Sequence, residues 1–139
     1  MDCFDLRRRD LRAGFTLELS LRLATLDEGQ TLLDARQPDG RGLRLRTVEG
    51  GAVELMMHDG QTDQRWACDA GLLRAGVESR LSVIVDGGPK LILFVVDGVL
   101  CDGGDQRQFG WGRFSPHLAG PCWTETARLP PRRAGAAAP

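Results

Sequence analysis

Ile84 to Gly98 reads IVDGGPKLILFVVDG. Two apolar runs each end in Asp-Gly, and Gly-Gly-Pro joins them. Short apolar runs rich in β-branched residues and bounded by turn formers are strands rather than helices. Asp86 suits the first position of a turn, and Gly87, Gly88 and Pro89 complete a hairpin connection. Asp97-Gly98 predicts a second tight bend, after which Val99, Leu100 and Cys101 pair as a short edge. Both aspartates are read as turn residues rather than catalytic ones. The near-continuous apolar character of LSVIVD and KLILFVVD predicts central strands buried on both faces.

Outward from this pair, the chain keeps alternating. In FTLELSLRL (15–23), Phe15, Leu17, Leu19, Leu21 and Leu23 share one face and Thr16, Glu18, Ser20 and Arg22 the other, which is a half-buried strand. QTLLDAR follows a glycine-containing loop, and PDGRG turns the chain. LRLRTV (43–48) alternates again, with Arg44 and Arg46 outward. EGGA leads to VELMM (53–57), HDGQ turns once more, and QRWAC is a weaker strand. Strands recurring every ~8–12 residues with Asp-Gly or Gly-Gly between them indicate an antiparallel sandwich or barrel. The one helical candidate of note, CDAGLLRAG (68–76), is too short to shape the fold, and Leu72 and Leu73 are expected to plug the core from a loop. Near the N-terminus, LRRRDLRAG reads as an extended lead-in with Phe4 and Leu6 packed inward.

Residues 102–123, DGGDQRQFGWGRFSPHLAGPCW, form a long loop with one short strand expected at QFGWG. Loops of this length are usually functional or mobile. After Thr126, ARLPPRRAGAAAP lacks both backbone donors and core residues, so 127–139 is expected to be a disordered tail behind a domain spanning 1–126.

Composition excludes several classes. The 139 residues suffice for one domain, and a net charge of -1 argues against a dedicated nucleic-acid binder. Lys90 is the sole lysine, and the excess of arginine is read as coding bias before any demand for guanidinium groups. No apolar run reaches the ~20 residues that span a bilayer, and the N-terminus does not read as a secretory signal. Cys3, Cys68, Cys101 and Cys122 show no CxxC spacing, so a structural zinc site is not expected. They allow two disulfides with three connectivities, or four free thiols.

The order FTLELSLRL, QTLLDAR, GLRLRTVEGGAVELMM and LSVIVDGGPKLILFVVDGVL resembles the laminin-G-like members of the concanavalin A-like lectin-glucanase superfamily. The resemblance covers residues 15–118, and the F-T-x-E and LFVVDGVL strands carry most of it. It implies an all-β antiparallel β-sandwich of jelly-roll type with one concave sheet. It further implies a non-catalytic carbohydrate- or glycan-binding module, an accessory domain of a secreted bacterial glycosidase, sulfatase or sialidase-like protein. The location would then be extracellular or periplasmic within a larger chain, with that protein's other domains as further partners. Two departures stand out. GVESR replaces the Trp-His-His type segment common before the LSVIVD strand. CWTETARLPPRRAGAAAP offers only a weak closing strand, so a truncated sandwich with an unpaired edge is expected.

Relatives that are glucanases place carboxylates on one strand as ExDxxE or ExDxE, with the reacting pair about 5–5.5 Å apart. The six glutamates here (Glu18, Glu28, Glu49, Glu54, Glu78 and Glu125) make no such array, and only Glu18 and Glu54 could face each other outward from strands. There is no GxSxG, and DGGDQRQFGWG matches no phosphate-binding loop. The chain is therefore read as a binding module, not an enzyme. Trp111, Arg113, Trp66, Arg65, His58 and Asp59 are the candidate ligand-binding residues: aromatic faces stack on sugar C–H patches while charged groups bond hydroxyls. Trp123 is expected to cap a sandwich end. Asp97, Asp102 and Asp105 are candidate calcium ligands through hard carboxylate oxygens. The competing reading is a structural or protein-interaction domain with no sugar site. The two part on whether Trp111, Arg113 and Trp66 converge on one exposed concave surface.

Overall fold

Period-two alternation produces two antiparallel sheets whose apolar faces meet. In the computed structural model, residues 14–115 are described in full and 123–128 by their backbone. The first sheet contains β1 (Phe15–Leu21), β6 (Ser79–Asp86) and β7 (Leu91–Val96), with the short β8 (Val99–Leu100) and β9 (Gly112–Arg113) both pairing with β7. The second runs β10 (Trp123–Arg128), β2 (Thr31–Arg36), β3 (Gly42–Val48), β4 (Ala52–His58) and β5 (Asp63–Ala67). The described residues contain no α-helix, and the 68–76 segment is turn and coil. Leu73 is buried there as expected, whereas Leu72 is exposed.

Register explains the core. Leu17, Val83 and Phe94 fall in one row across β1, β6 and β7, and Leu19, Leu81 and Val96 in the next. Opposite them, Leu33, Leu45, Leu55 and Trp66 line up across β2 to β5. Phe94 is fully buried among these rows. The expectation that β6 and β7 are buried on both faces does not hold. Their alternate residues, including Ile84, Leu93 and Val95, are only half-buried, because no third layer lies over them among the described residues.

Both Asp-Gly stretches are turns. Asp97 and Gly98 have φ of 50° and 82°, and Val96 pairs with Val99 across them. Two consecutive positive φ values are what a two-residue type I′ hairpin needs, and Asp-Gly tolerates them. The Asp97 carboxylate also accepts the Arg80 N–H at 2.8 Å, so this turn is tied back to β6. In the β6–β7 hairpin, Asp86 accepts the Gly88 N–H at 3.1 Å.

The closing strand is present, contrary to the sequence expectation. β10 pairs antiparallel with β2, with Trp123 opposite Arg36 and Arg128 opposite Asp34 across a register shift. It covers the edge of β2 and carries regular structure past the boundary expected at 126. The tail from 129 onward, the lead-in with Cys3, Phe4 and Leu6, and Cys122 lie outside the described residues, as does the side chain of Trp123.

Because Phe94 of β7 is fully buried in the core between the two sheets, Phe94→Ala should cost about 3–5 kcal/mol. Urea denaturation followed by circular dichroism checks this. The transition midpoint should fall with little change in slope.

Candidate functional site

The outer face of the second sheet is built from the residues that alternate with its core. Arg44 pairs with Asp34 on one side and Met56 on the other, and Met56 pairs with Arg65. Arg46 pairs with Glu54, and Gly42 with His58, which pairs with Asp63. Four arginines from three strands thus share one surface: Arg36, Arg44, Arg46 and Arg65. Three of them have carboxylate partners. Arg36 makes a two-pronged bond to Asp34, with both contacts at 2.9 Å. Arg46 donates to Glu54 at 3.2 Å and Arg65 to Asp63 at 3.0 Å.

Arg44 has no carboxylate partner among the described residues, and its buried Nε finds no acceptor there. Burial pushes this guanidinium below its usual range; Arg36, Arg46 and Arg65 push it the same way, while Asp34 opposes them. An arginine keeps its charge under such pressure. With four arginines against the three carboxylates of Asp34, Glu54 and Asp63, this face keeps a surplus positive charge at the partly desolvated Arg44, which favours an anion that reaches it. A planar carboxylate suits it best, because the guanidinium fork bonds both oxygens at once.

A second structured region lies beside β5. The Trp66 side chain points into the sandwich and packs against the core. Its Nε1 donates to the Gly110 carbonyl at 3.2 Å, and the Arg107 guanidinium lies 4.4 Å over the ring, within cation–π range. A Cβ on Gly112 would fall inside the Trp66 indole, so only glycine lets β9 approach this closely. Asp69, buried two residues past β5, accepts the N–H groups of Asp102 and Gly103 at 3.1 and 3.0 Å and Arg107 Nη2 at 2.7 Å. These contacts turn the Gly-rich segment after Cys101 into a fixed loop. An open cleft of about 470 Å³ lies along it, lined in part by Glu49, Asp69, Asp105 and Arg107.

The candidate ligand residues are divided by this architecture. Arg65 and His58 lie on the outer face of the second sheet, at the β4–β5 end. His58 Nδ1 accepts the Gly60 N–H at 2.9 Å, and Asp59 accepts the Gln61 and Thr62 N–H groups at 2.9 and 2.7 Å, so both serve the turn. Trp66 faces inward. Arg113 is exposed on β9 opposite Leu91, in the other sheet. Trp111 is half-buried and stacks on Phe109 at 4.7 Å between ring centroids. The convergence of Trp111, Arg113 and Trp66 on one exposed surface does not occur.

Asp97, Asp102 and Asp105 are not gathered either. Asp97 accepts Arg80 N–H and Asp102 accepts Gly104 N–H at 2.9 Å. No group of three or more His, Cys, Asp or Glu side chains among the described residues is placed to hold a metal ion. Glu18 and Glu54 project from the outer faces of opposite sheets. The whole sandwich separates them, and packed sheets alone stand about 10 Å apart, so they cannot form a glycosidase pair.

Arg36 and Arg44, the heart of the arginine surface, were not singled out as ligand residues from the sequence. Their signal was the outward R-x-R of LRLRTV and the Arg of TLLDAR. Only strand order brings these onto one face with Arg65.

No protein-family model and no curated protein matches this chain. Solved structures do. Similar in fold are structures of the Ruminococcus gnavus IT-sialidase CBM40, one of them bound to α2,3-sialyllactose and another to α2,6-sialyllactose. Each is 19% identical with a TM-score of 0.58, over 98% of this chain and 77–78% of theirs. At that identity the likeness is one of fold: the all-β sandwich stands, while the narrower laminin-G-like membership is not confirmed.

Removing the Asp69 carboxylate would leave two N–H groups and Arg107 without their buried acceptor. Asp69→Ala should therefore destabilise the protein by about 3–5 kcal/mol. It should also loosen Arg107 from Trp66, read as a red shift in tryptophan fluorescence under conditions where circular dichroism shows the sandwich intact.

Proposed function

We propose that the protein is a non-catalytic glycan-binding module, an accessory domain of a larger secreted protein of the glycosidase, sulfatase or sialidase kind. Its ligand is a glycan bearing a carboxylate, held on the outer face of the second sheet. The observation that carries this reading is Arg44, a partly desolvated guanidinium with three arginine neighbours and no carboxylate partner among the described residues. A sialic acid carboxylate would complete the charge pattern that Asp34, Glu54 and Asp63 leave unfinished. Arg65 and His58 share that face and would supply bonds to neighbouring hydroxyls. The fold likeness to a sialidase module seen with sialyllactose supports the same ligand class.

A second location for a sugar has its own support. Phe109 is 47% exposed and stacks on Trp111, which is the kind of aromatic surface that takes the apolar face of a sugar ring. Here the ligand need not be charged.

Calorimetric titration of α2,3-sialyllactose, with lactose as the neutral control, distinguishes these. Wild type should bind the sialylated sugar and not lactose. Arg44→Gln should weaken binding at least tenfold, because a charged hydrogen bond is worth ~1.5–3 kcal/mol. Trp111→Ala should leave it within a few fold. Loss in Trp111→Ala with Arg44→Gln unaffected would move the site to the aromatic pair. A folded wild type that binds neither sugar would favour a structural or protein-contact domain.

A further inference from the structure

We propose that Cys68 and Cys101 form a disulfide that links the two sheets and locks the loop following β8. Cys68 directly follows β5 at the edge of the second sheet, and Cys101 directly follows β8 at the edge of the first. The residue after Cys68 bonds the two residues after Cys101: Asp69 accepts from Asp102 and Gly103 at 3.1 and 3.0 Å. The same short segments are thus already stapled side by side. Both are free thiols in the structure, members of the same apolar cluster and 3% and 5% exposed. Their backbones are equally fixed: Cys68 N–H donates to the Val53 carbonyl and Cys101 N–H to the Phe94 carbonyl, each at 2.9 Å.

The chemistry of the two sulfurs agrees with their being neighbours. Burial pushes the Cys68 thiol up to about 11, the Val53 N–H works against that, and the charge of Cys101 adds to it. Burial likewise raises Cys101, against the Asp69 backbone N–H. Two such thiols are poor nucleophiles once enclosed. The bond therefore forms while the chain folds, or when the loop opens, and is then sealed from reductant. Oxidised glutathione is a sufficient oxidant. One thiolate attacks it to give a mixed disulfide and a reduced glutathione; the second thiolate displaces the other glutathione. Two thiol protons and two electrons pass to the glutathione pair as the S–S bond forms.

The pairing predicts that Cys3 and Cys122 take no part, and it suits the oxidising compartment that the proposed secreted role implies. It stands apart from the glycan reading, since it concerns the loop that holds Trp66 rather than the arginine surface.

The full chain is refolded in a glutathione redox buffer, alkylated, digested without reductant and analysed by mass spectrometry, in wild type and in a Cys3→Ser/Cys122→Ser variant. Peptides containing Cys68 and Cys101 should be joined in both. In the double variant, Tm should be about 10 °C higher oxidised than reduced. Cys101→Ala in that background should show no redox dependence of Tm, which separates the cross-link from a packing effect. Full alkylation of Cys68 and Cys101 after refolding, or linkage of either to Cys3 or Cys122, would overturn the proposal. Equal Tm in the two redox states would do the same.

Discussion

Between β3 and β4 the pairing runs unbroken from Gly42–His58 to Val48–Ala52, and both the core and the candidate site depend on it. Side chains alternate with period two, so a slip of one residue in β3 would carry Leu43 and Leu45 out to solvent and drive Arg44 and Arg46 inward. The apolar residues that cannot leave the core thereby hold the arginines on the outer face. β4 repeats the logic, with Leu55 and Met57 buried and Glu54 and His58 outward. The arginine surface is in this sense the other side of the hydrophobic core.

The two sheets are joined at one side by a different device. Trp66 enters the core from β5, and the segment from Cys101 to Gly112 wraps it through Gly110, Arg107 and the bare backbone of Gly112. Asp69 fixes the start of that wrap. This use of a tryptophan as an internal peg explains why it is unavailable as a sugar platform. It also explains why a glycine-rich stretch that looks loose in one dimension is ordered in three.

Much of the fold was legible along the chain. FTLELSLRL, LRLRTV, LSVIVD and LILFVV became strands because burial on one face demands alternation. Asp97-Gly98 became a hairpin because two positive φ values suit that dipeptide. β10 was not legible. WTETAR has little apolar content, and it is a strand because the free edge of β2 pairs with it, which is a fact about distant chain. Continuous apolar runs were misleading for a related reason: β6 and β7 face half-covered surroundings on their outer side. The candidate site was legible only in fragments. R-x-R in β3 marks an outward basic pair, but Asp34, Arg36 and Arg65 join it only once β2 and β5 flank β3 and β4. The partners of Trp66 are equally non-local, the nearest in sequence among Gly110, Arg107 and Gly112 being Arg107.

The measurement that bears most directly on the arginine surface is nuclear magnetic resonance of the nitrogen-15-labelled protein, observing arginine Nε–H and backbone amides while sialyllactose is added. The Arg44 Nε–H signal should move, together with amides of β3, β4 and β5 on that face, and lactose should move none of them. Shifts confined to Phe109, Trp111 and their neighbours, or no shift at all with sialyllactose, would contradict a site on the arginine surface.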